Sequence, residues 1–418
     1  MSNLSFKNIE KVYPGGCCAV NDFSLEIQDG EFMVFTGPDG SGKSTLLRMV
    51  AGLEDASSGE LSIGGKLMNE VPSKNRDVAL VLPDYTLYPH LSVYDNLALG
   101  LKHRKFAKEY IEVKVNAAAE ILGLKEVLQR KPKTLTTLQR LRVSLGRVIV
   151  REPKVILFDE PLSNLDEKLR LQMRSELVKL HTRLGFTCLY ATHDSIEALA
   201  LATRIAVFKE GALQQVDVPQ NLYDYPVNRY VAEYFGSPAM NLFNAALGRQ
   251  DGKTFVQFGE NKLDLPKNLI ERINRLDEYV NTGKKVIFGI RPEDLSLTEG
   301  SESEQITAKV EAAETLGAEM ILTCELDQKE AKKSIIGTSS QLIARTDPRS
   351  DVSTGETVKL TADCNRIQLF DGYTGLSMLT RDEHYKVIPA FAADAAFVPK
   401  TEQKPQTDTT SKGKKDAK

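Results

Sequence analysis

Alternation of apolar and polar positions opens the chain. Leu4-Ser5-Phe6 and Phe23-Ser24-Leu25-Glu26-Ile27 show the period of two expected of half-buried strands. Glu31-Phe32-Met33-Val34-Phe35 is a short apolar run that stops at Gly37, and from Lys43 to about Leu53 the spacing becomes helical. Between Lys105 and Arg130, Ile111, Val115, Ala118, Ile121 and Leu122 recur at helical spacing and predict a helical subdomain. Val155-Ile156-Leu157-Phe158 and Cys188-Leu189-Tyr190-Ala191 are continuous apolar runs of the kind found in buried parallel strands, with a helical pattern over Glu167–Leu184 between them. Strands alternating with helices imply an α/β layer on a mostly parallel sheet. The pattern changes near Gly236. From about Asn241 to Leu379 short strands dominate, among them Phe255–Phe258, Lys285–Phe288, Met320–Thr323 and Thr357–Leu360. They predict a small β barrel or sandwich with a helical interruption at Lys267–Tyr279.

A length of 418 residues is too great for one core and predicts two to three domains. A net charge of −3 gives no general electrostatic grip on nucleic acid or anionic lipid. No nucleic-acid partner is therefore expected. The five cysteines (Cys17, Cys18, Cys188, Cys324, Cys364) have neither metal nor redox spacing, which fits a reduced cytosolic compartment. No stretch nears the roughly 18 uninterrupted apolar residues needed to cross a bilayer, and MSNLSFKNIEKVYP has no apolar signal core. The expectation is a chain that is neither exported nor membrane-spanning and meets a membrane only through a partner.

Gly37-Pro38-Asp39-Gly40-Ser41-Gly42-Lys43-Ser44 matches the GxxxxGKS phosphate-loop pattern, and Thr45 follows. Glycines let the backbone wrap so that successive N–H groups face phosphate oxygens. The next helix turns its N-terminus to the same anion. Lys43 brings a cation to the outer phosphates, and the Ser44 hydroxyl suits Mg²⁺. Asp39 adds a carboxylate to the loop. Further on, Val155–Phe158 runs into Asp159-Glu160, which places two carboxylates at the sheet edge where the phosphate loop lies. Asp159 is the natural holder of Mg²⁺, and Glu160 the natural general base for an attacking water. His193 follows the next apolar strand and is expected at the γ-phosphate.

Together these pieces resemble the ATP-binding subunits of ABC transporters, of the maltose and multiple-sugar importer type. The stretches that carry the resemblance are VYPGG with Tyr13, GPDGSGKSTLLRMVAGLEDASSGELSIGG, DYTLYPHLSVYDNLALGL, LGRVIVREPKVILFDEPLSNLDEKLR and ATHDSIEALALATRIAVFKEGALQQV. FGIRPEDLSL, AKVEAAETLGAE and RIQLFDGYTGL resemble the regulatory domain of the same subgroup, so about residues 3–380 are covered. The resemblance implies a P-loop ATPase domain over 1–236, with its helical subdomain at about 88–153. A small all-β OB-like regulatory domain would follow over 237–385, then a polar tail over 386–418 that reads as disordered. Tyr13 would stack on the adenine, residues 37–45 would hold the phosphates, and Asp159 and Glu160 would complete the Walker B strand. Ser163-Asn164-Leu165-Asp166 would be the D-loop that crosses a dimer interface, and His193 the switch histidine. ATP and Mg²⁺ are implied, with each ATP sandwiched in a head-to-tail dimer of ATPase subunits. Two membrane-spanning permease subunits and, through them, an external solute-binding protein would be partners. The location would be cytoplasmic, peripheral on the inner face of the cell membrane.

Two positions depart from that family. The signature loop, usually Leu-Ser-Gly-Gly-Gln, reads Leu135-Thr136-Thr137-Leu138-Gln139. Glycine serves where backbone must approach a phosphate or adopt positive φ, so Thr137 and Leu138 should hold it away. Pro83 stands where the family has the Q-loop glutamine, and proline has neither an amide side chain nor an N–H. Losing one well-placed transition-state contact costs ~3 kcal/mol, about a hundredfold in rate. Weak hydrolysis by a homodimer is therefore expected; with a paralogous partner carrying an intact signature loop, one site would be near-complete, still lacking the glutamine at Pro83, and the other would turn over slowly. The alternatives are a nucleotide-binding regulatory or structural subunit with little hydrolysis of its own, and a soluble ABC protein without a transport role.

Overall fold

The structure, a computed structural model, describes residues 3–81, 86–297, 300–326, 341–382 and 384–385. Pro83 and the tail at 386–418 lie outside the described residues. β1 (Leu4–Val12) and β2 (Cys18–Ile27) form the antiparallel pair that the opening alternation predicts. β3 (Phe32–Thr36), buried throughout, runs into the glycine turn before α1 (Lys43–Ala51). β4 (Ser58–Ile63) pairs with β1 and the short β5 (Lys66–Leu67) with β4, completing an antiparallel sheet in the order β2-β1-β4-β5.

β6 (Val78–Val81) leads to the helices α2 (Val93–His103), α3 (Lys108–Ile121) and α4 (Thr137–Ile149). Then come β7 (Val155–Asp159), α5 (Glu167–Leu184), β8 (Cys188–Thr192), α6 (Ser195–Leu201), β9 (Arg204–Lys209) and β10 (Ala212–Asp217). α7 (Pro219–Asp224) and α8 (Arg229–Tyr234) close this half. The central sheet has the order β10-β9-β3-β8-β7-β6, all parallel except the edge strand β10.

Because successive side chains of a strand point to opposite faces, the buried strands feed two cores. Met33 and Phe35 join Phe6, Phe23 and Phe208 on the side of α1 and the antiparallel sheet. Phe32 and Val34 face the other way and pack with Phe158, Tyr190 and residues of α2 to α5. The sheet is thus covered on both faces, as a parallel sheet requires.

The second half begins with β11 (Asn241–Gln250), β12 (Lys253–Phe258) and β13 (Asn261–Asp264). The helical interruption expected at Lys267–Tyr279 is two helices, α9 (Lys267–Arg272) and α10 (Leu276–Thr282). Between them Arg275 adopts a left-handed φ of 57°, which stops a single helix from continuing. β14 (Val286–Ile290), β15 (Leu295–Ser296), β16 (Gln305–Thr315), β17 (Met320–Glu325), β18 (Gln341–Thr346), β19 (Thr357–Ala362) and β20 (Gln368–Asp371) complete it. They form two antiparallel sheets, β13-β12-β11-β14-β20 and β15-β19-β16-β17-β18, over one core. The stacked rings of Phe243, Phe258 and Phe288 lie in that core. The halves are tied at Arg291, which follows β14. Its buried guanidinium donates to the carbonyl oxygens of Phe235 and Tyr223, both at 2.6 Å, and lies 3.5 Å from the Tyr223 ring centroid.

Candidate functional site

The register of the central sheet decides where the chemistry collects. Thr36, the last residue of β3, pairs with Thr192 at the end of β8, and Ala191 pairs with Asp159 at the end of β7. The segments that follow therefore leave the same carboxyl edge side by side, where open α/β sheets bind ligands. One begins with Gly37, one with His193 and one with Glu160.

In the first segment Gly37, Gly40 and Gly42 have φ of 149°, 76° and 100°, values that side chains disfavour. The space is closed as well: a Cβ on Gly37 would lie 2.3 Å from the Phe208 carbonyl oxygen, and one on Gly42 2.3 Å from that of Ala19. The loop is thus a bare-backbone cradle at the N-terminus of α1, which suits a polyphosphate. Lys43 is buried, and its ammonium donates to the carbonyl oxygens of Gly37 and Pro38 at 2.8 Å each. Burial lowers its pKa, against the pull of Glu160, Asp39 and Asp159. The Ser44 hydroxyl donates to Asp159 Oδ1 at 2.7 Å, so the hydroxyl and carboxylate foreseen as Mg²⁺ holders are adjacent. These oxygen donors fit a hard cation. The Tyr13 hydroxyl lies 3.5 Å from that of Thr45, which sets the ring beside the loop.

Glu160 follows β7 with a φ of 47°, a left-handed conformation that costs of order 1–3 kcal/mol for a non-glycine residue and collects at functional sites. Its amide donates to the Ala191 carbonyl at 3.0 Å, and its own carbonyl accepts from the Ser163 hydroxyl at 3.0 Å. Glu160 Oε1 is 3.3 Å from His193 Nδ1, and Asp39 Oδ1 is 3.9 Å from the same nitrogen. Asp39, in the phosphate loop, thus faces the histidine.

The remaining expected residues lie elsewhere. Asp166 caps α5, accepting from the Leu169 amide at 2.9 Å. Thr136 caps α4 in a reciprocal capping box: its hydroxyl accepts from the Gln139 amide at 3.2 Å, and Gln139 Oε1 accepts from the Thr136 amide at 3.1 Å. Thr137 and Leu138 form the first turn of α4 and are not among the residues with positive φ. Of the two reasons for glycine there, the conformational one does not apply. What remains is the bulk of their side chains.

Tyr234 carries no pattern in the sequence yet is part of this site. From α8 the hydroxyl of this half-buried side chain donates to the His193 carbonyl at 2.8 Å and lies 2.8 Å from Thr36 Oγ1, so it ties the histidine segment to the strand that feeds the phosphate loop. Burial pushes its pKa up to about 12. Sequence distances of 41 and 198 residues leave no local signal for these contacts.

Comparison with known proteins identifies the family. The ABC transporter family profile matches residues 20–163, the MalK OB fold domain residues 236–295 and the TOBE domain residues 288–370. The oligosaccharides import ATP-binding protein MsmX of Bacillus subtilis is 47% identical over 378 residues, which are 90% of this chain and 99% of that protein. This chain belongs to the ABC transporter ATP-binding family. The multiple sugar-binding transport ATP-binding protein MsmK of Streptococcus mutans is 44% identical over 390 residues, covering 90% of this chain and 99% of that protein. A solved structure of cbiO1 from Clostridium perfringens, part of the ABC transporter complex cbiONQ, covers 52% of this chain and 89% of its own. Its TM-score is 0.50 at 28% identity. The chain is accordingly an ABC-type ATPase with a P-loop domain followed by a β-rich OB-like portion, and such ATPases pair with membrane permease subunits. Among the described residues, no helix is long and apolar enough to cross a membrane.

Proposed function

We propose that this ABC-type ATPase is the energy-coupling subunit of a carbohydrate importer, working as one half of a head-to-tail ATPase dimer on the inner face of the cell membrane. The observation that carries the hydrolytic part is the convergence of Lys43, Ser44, Asp159, Glu160 and His193 on one sheet edge. The carbohydrate assignment is supported by similarity over 90% of this chain to two proteins named for oligosaccharide and multiple-sugar transport. The ATPase domain is assigned to 1–236, its helical subdomain to about 88–153 and the regulatory domain to 237–385.

In this reading Tyr13 stacks on the adenine, and the amides of residues 37–45 with Lys43 bind the phosphates. Glu160 takes the proton of the attacking water as general base. His193, beside Glu160, orients the terminal phosphate, and Tyr234 fixes the backbone of His193. Ser44 and Asp159 would hold Mg²⁺, which supplies neutralisation of phosphate charge. Asp166 meets the partner ATPase at the dimer interface. A groove of about 520 Å³ lined by Tyr88, Asn96, His103, Arg147 and Arg151 adjoins β6 and receives a permease segment. Buried Asn96 shapes its rim by bonding the Tyr88 amide and carbonyl at 2.9 and 3.1 Å. The solute-binding protein acts through the permeases.

The signature loop supports a second reading, in which this chain binds ATP but pairs with a paralogue that supplies the intact loop. In the capping box, Thr136 and Gln139 satisfy each other, and Thr137 and Leu138 add bulk at the same helix start. The native transporter, purified from membranes through this chain, tests both. Uptake of a labelled oligosaccharide by the reconstituted complex, coupled to ATP hydrolysis, is expected. A complex that hydrolyses no ATP and takes up no carbohydrate overturns the first reading, and a mass showing two copies of this chain and no paralogue overturns the second.

A further inference from the structure

The segment Ser163–Asp166 and the segment that begins with His193 leave the sheet edge separately, and one side chain spans them. Arg170, one turn into α5, donates through Nη2 to the Leu165 carbonyl at 3.2 Å. Through Nη1 it reaches Asp194 Oδ2 at 3.5 Å. Asp194 follows His193 and caps α6. Its Oδ1 accepts from the amides of Ile196 and Glu197 at 2.8 and 3.0 Å, and its own amide donates to Thr192 Oγ1 at 3.0 Å. The guanidinium thus joins the backbone of one loop to the carboxylate that sets the backbone of the other.

Its contacts are long on every side. Glu167 Oε2 lies 3.6 Å from Nη1, and Glu197 Oε1 lies 3.8 Å from Nε, which is buried and donates to no partner among the described residues. Glu197 is itself buried, and its Oε2 accepts from the hydroxyls of Tyr190 and Thr192 at 3.0 Å each, so β8 fixes its place. A charge-assisted pair normally closes to about 2.7–2.9 Å. Arg170 is instead shared among three carboxylates and a carbonyl, none nearer than 3.2 Å. A cation held loosely by several acceptors shifts among them at small cost, so a movement of one loop is passed to the other.

We propose that Arg170 is a positioning residue for ATP hydrolysis: through Asp194 it makes the seating of Ser163–Asp166 set the orientation of His193. Arg170 itself touches neither nucleotide nor attacking water. The proposal rests on the reading above, in which Asp166 meets the partner ATPase and His193 orients the terminal phosphate; approach of the partner would then be felt at the histidine of this chain's own site.

The transporter purified with Arg170→Met, Arg170→Lys or Arg174→Met tests it, by steady-state hydrolysis, a thermal melt and amide hydrogen exchange. Methionine keeps the apolar stem and removes the donors. Arg170→Met should lower kcat about tenfold or more while the KM for ATP stays within about twofold, the split expected when a group near the reacting atoms is misplaced. Lysine keeps the charge but lacks the fork that serves Leu165 and Asp194 together, so Arg170→Lys should recover part of kcat. Arg174, one turn further along α5 and 3.7 Å from Glu167 of the same helix, is the control. Arg174→Met should lower the melting temperature at least as much and leave kcat at the parent value. Exchange at the Ile196 and Glu197 amides should quicken in Arg170→Met and keep the parent rate in Arg174→Met. This readout needs no turnover, so a parent complex that hydrolyses no ATP sinks the hydrolytic reading while exchange still decides whether Arg170 couples the loops. The proposal fails if Arg170→Met keeps the parent kcat, or if its KM rises while kcat holds. It fails equally if Arg174→Met loses as much kcat, or if the Ile196 and Glu197 amides of Arg170→Met exchange as in the parent.

Discussion

Restoring glycine at the start of α4, by Thr137→Gly with Leu138→Gly, should make the enzyme faster and less stable at once. Both residues lie in the first turn of the helix, and Leu138 is half-buried against the core that unites the helical subdomain with the sheet. Glycine in a helix costs ~1 kcal/mol per position, and losing half the burial of a leucine costs about 1 kcal/mol more. The reciprocal bonds of Thr136 and Gln139 are untouched, so the cap survives. The sum, about 3 kcal/mol, corresponds to a fall in melting temperature of roughly 6–12 °C for a domain of this size. Against this stands the recovered approach of the backbone to the partner's γ-phosphate, worth up to ~3 kcal/mol in the transition state. Turnover of the purified homodimer should rise by about ten- to a hundredfold, short of a full recovery because Pro83 remains. The assay is steady-state phosphate release beside a thermal melt of the same preparation. A folded double variant that binds ATP but turns over no faster than the parent would refute the reasoning. So would a parent homodimer that already hydrolyses ATP at an ordinary transporter rate.

Tyr234→Phe keeps the ring and removes the hydroxyl shared by Thr36 and His193, so kcat should fall about tenfold with the KM for ATP nearly unchanged; kinetics in which KM rises and kcat holds would contradict this. Glu160→Gln should retain ATP binding, measured with a fluorescent analogue, while hydrolysis drops by about 10²- to 10⁴-fold. Gly42→Ala places a methyl 2.3 Å from the Ala19 carbonyl oxygen and should abolish ATP binding while lowering the melting temperature. Asp294 titrates near 6 in the folded chain against an ordinary 3.8, with Arg366 and Arg291 lowering and Glu293 and Asp363 raising it beside the dominant burial. The folded state therefore keeps a proton that the unfolded state releases, so this group's stabilisation is full below pH ~4 and is lost as pH rises through about 6. Relative to the parent, Asp294→Asn should lose less denaturant stability between pH 4 and 7.

Much of the architecture was legible because it follows from periodicity. The buried runs at Val155–Phe158 and Cys188–Ala191 became β7 and β8, and Glu167–Leu184 became α5 with the same ends. Asp166 before it is a side-chain cap, the residue type that signals a helix start. The helical interruption expected at Lys267–Tyr279 is present, but its division into α9 and α10 is not legible, because a left-handed arginine between two helical turns leaves no trace in hydrophobic spacing. For the candidate site, the phosphate loop and the carboxylate pair announce themselves by residue type, and sheet register then sets them together. Tyr234 and Arg170 could not be found that way. Their environments are made by segments distant in sequence, and an isolated tyrosine or arginine carries no spacing to read.

The contact of Gly42 with the Ala19 carbonyl has a consequence for how such a protein can change. Where main chain lies directly on main chain, no side chain is available for selection to trim or enlarge, and that seam is frozen. On the proposed reading, adjustment of how firmly nucleotide is held would come from the rim: the ring of Tyr13 on one side and, across the proposed dimer, the first turn of the partner's α4. In this chain Thr137 and Leu138 stand at the second of these.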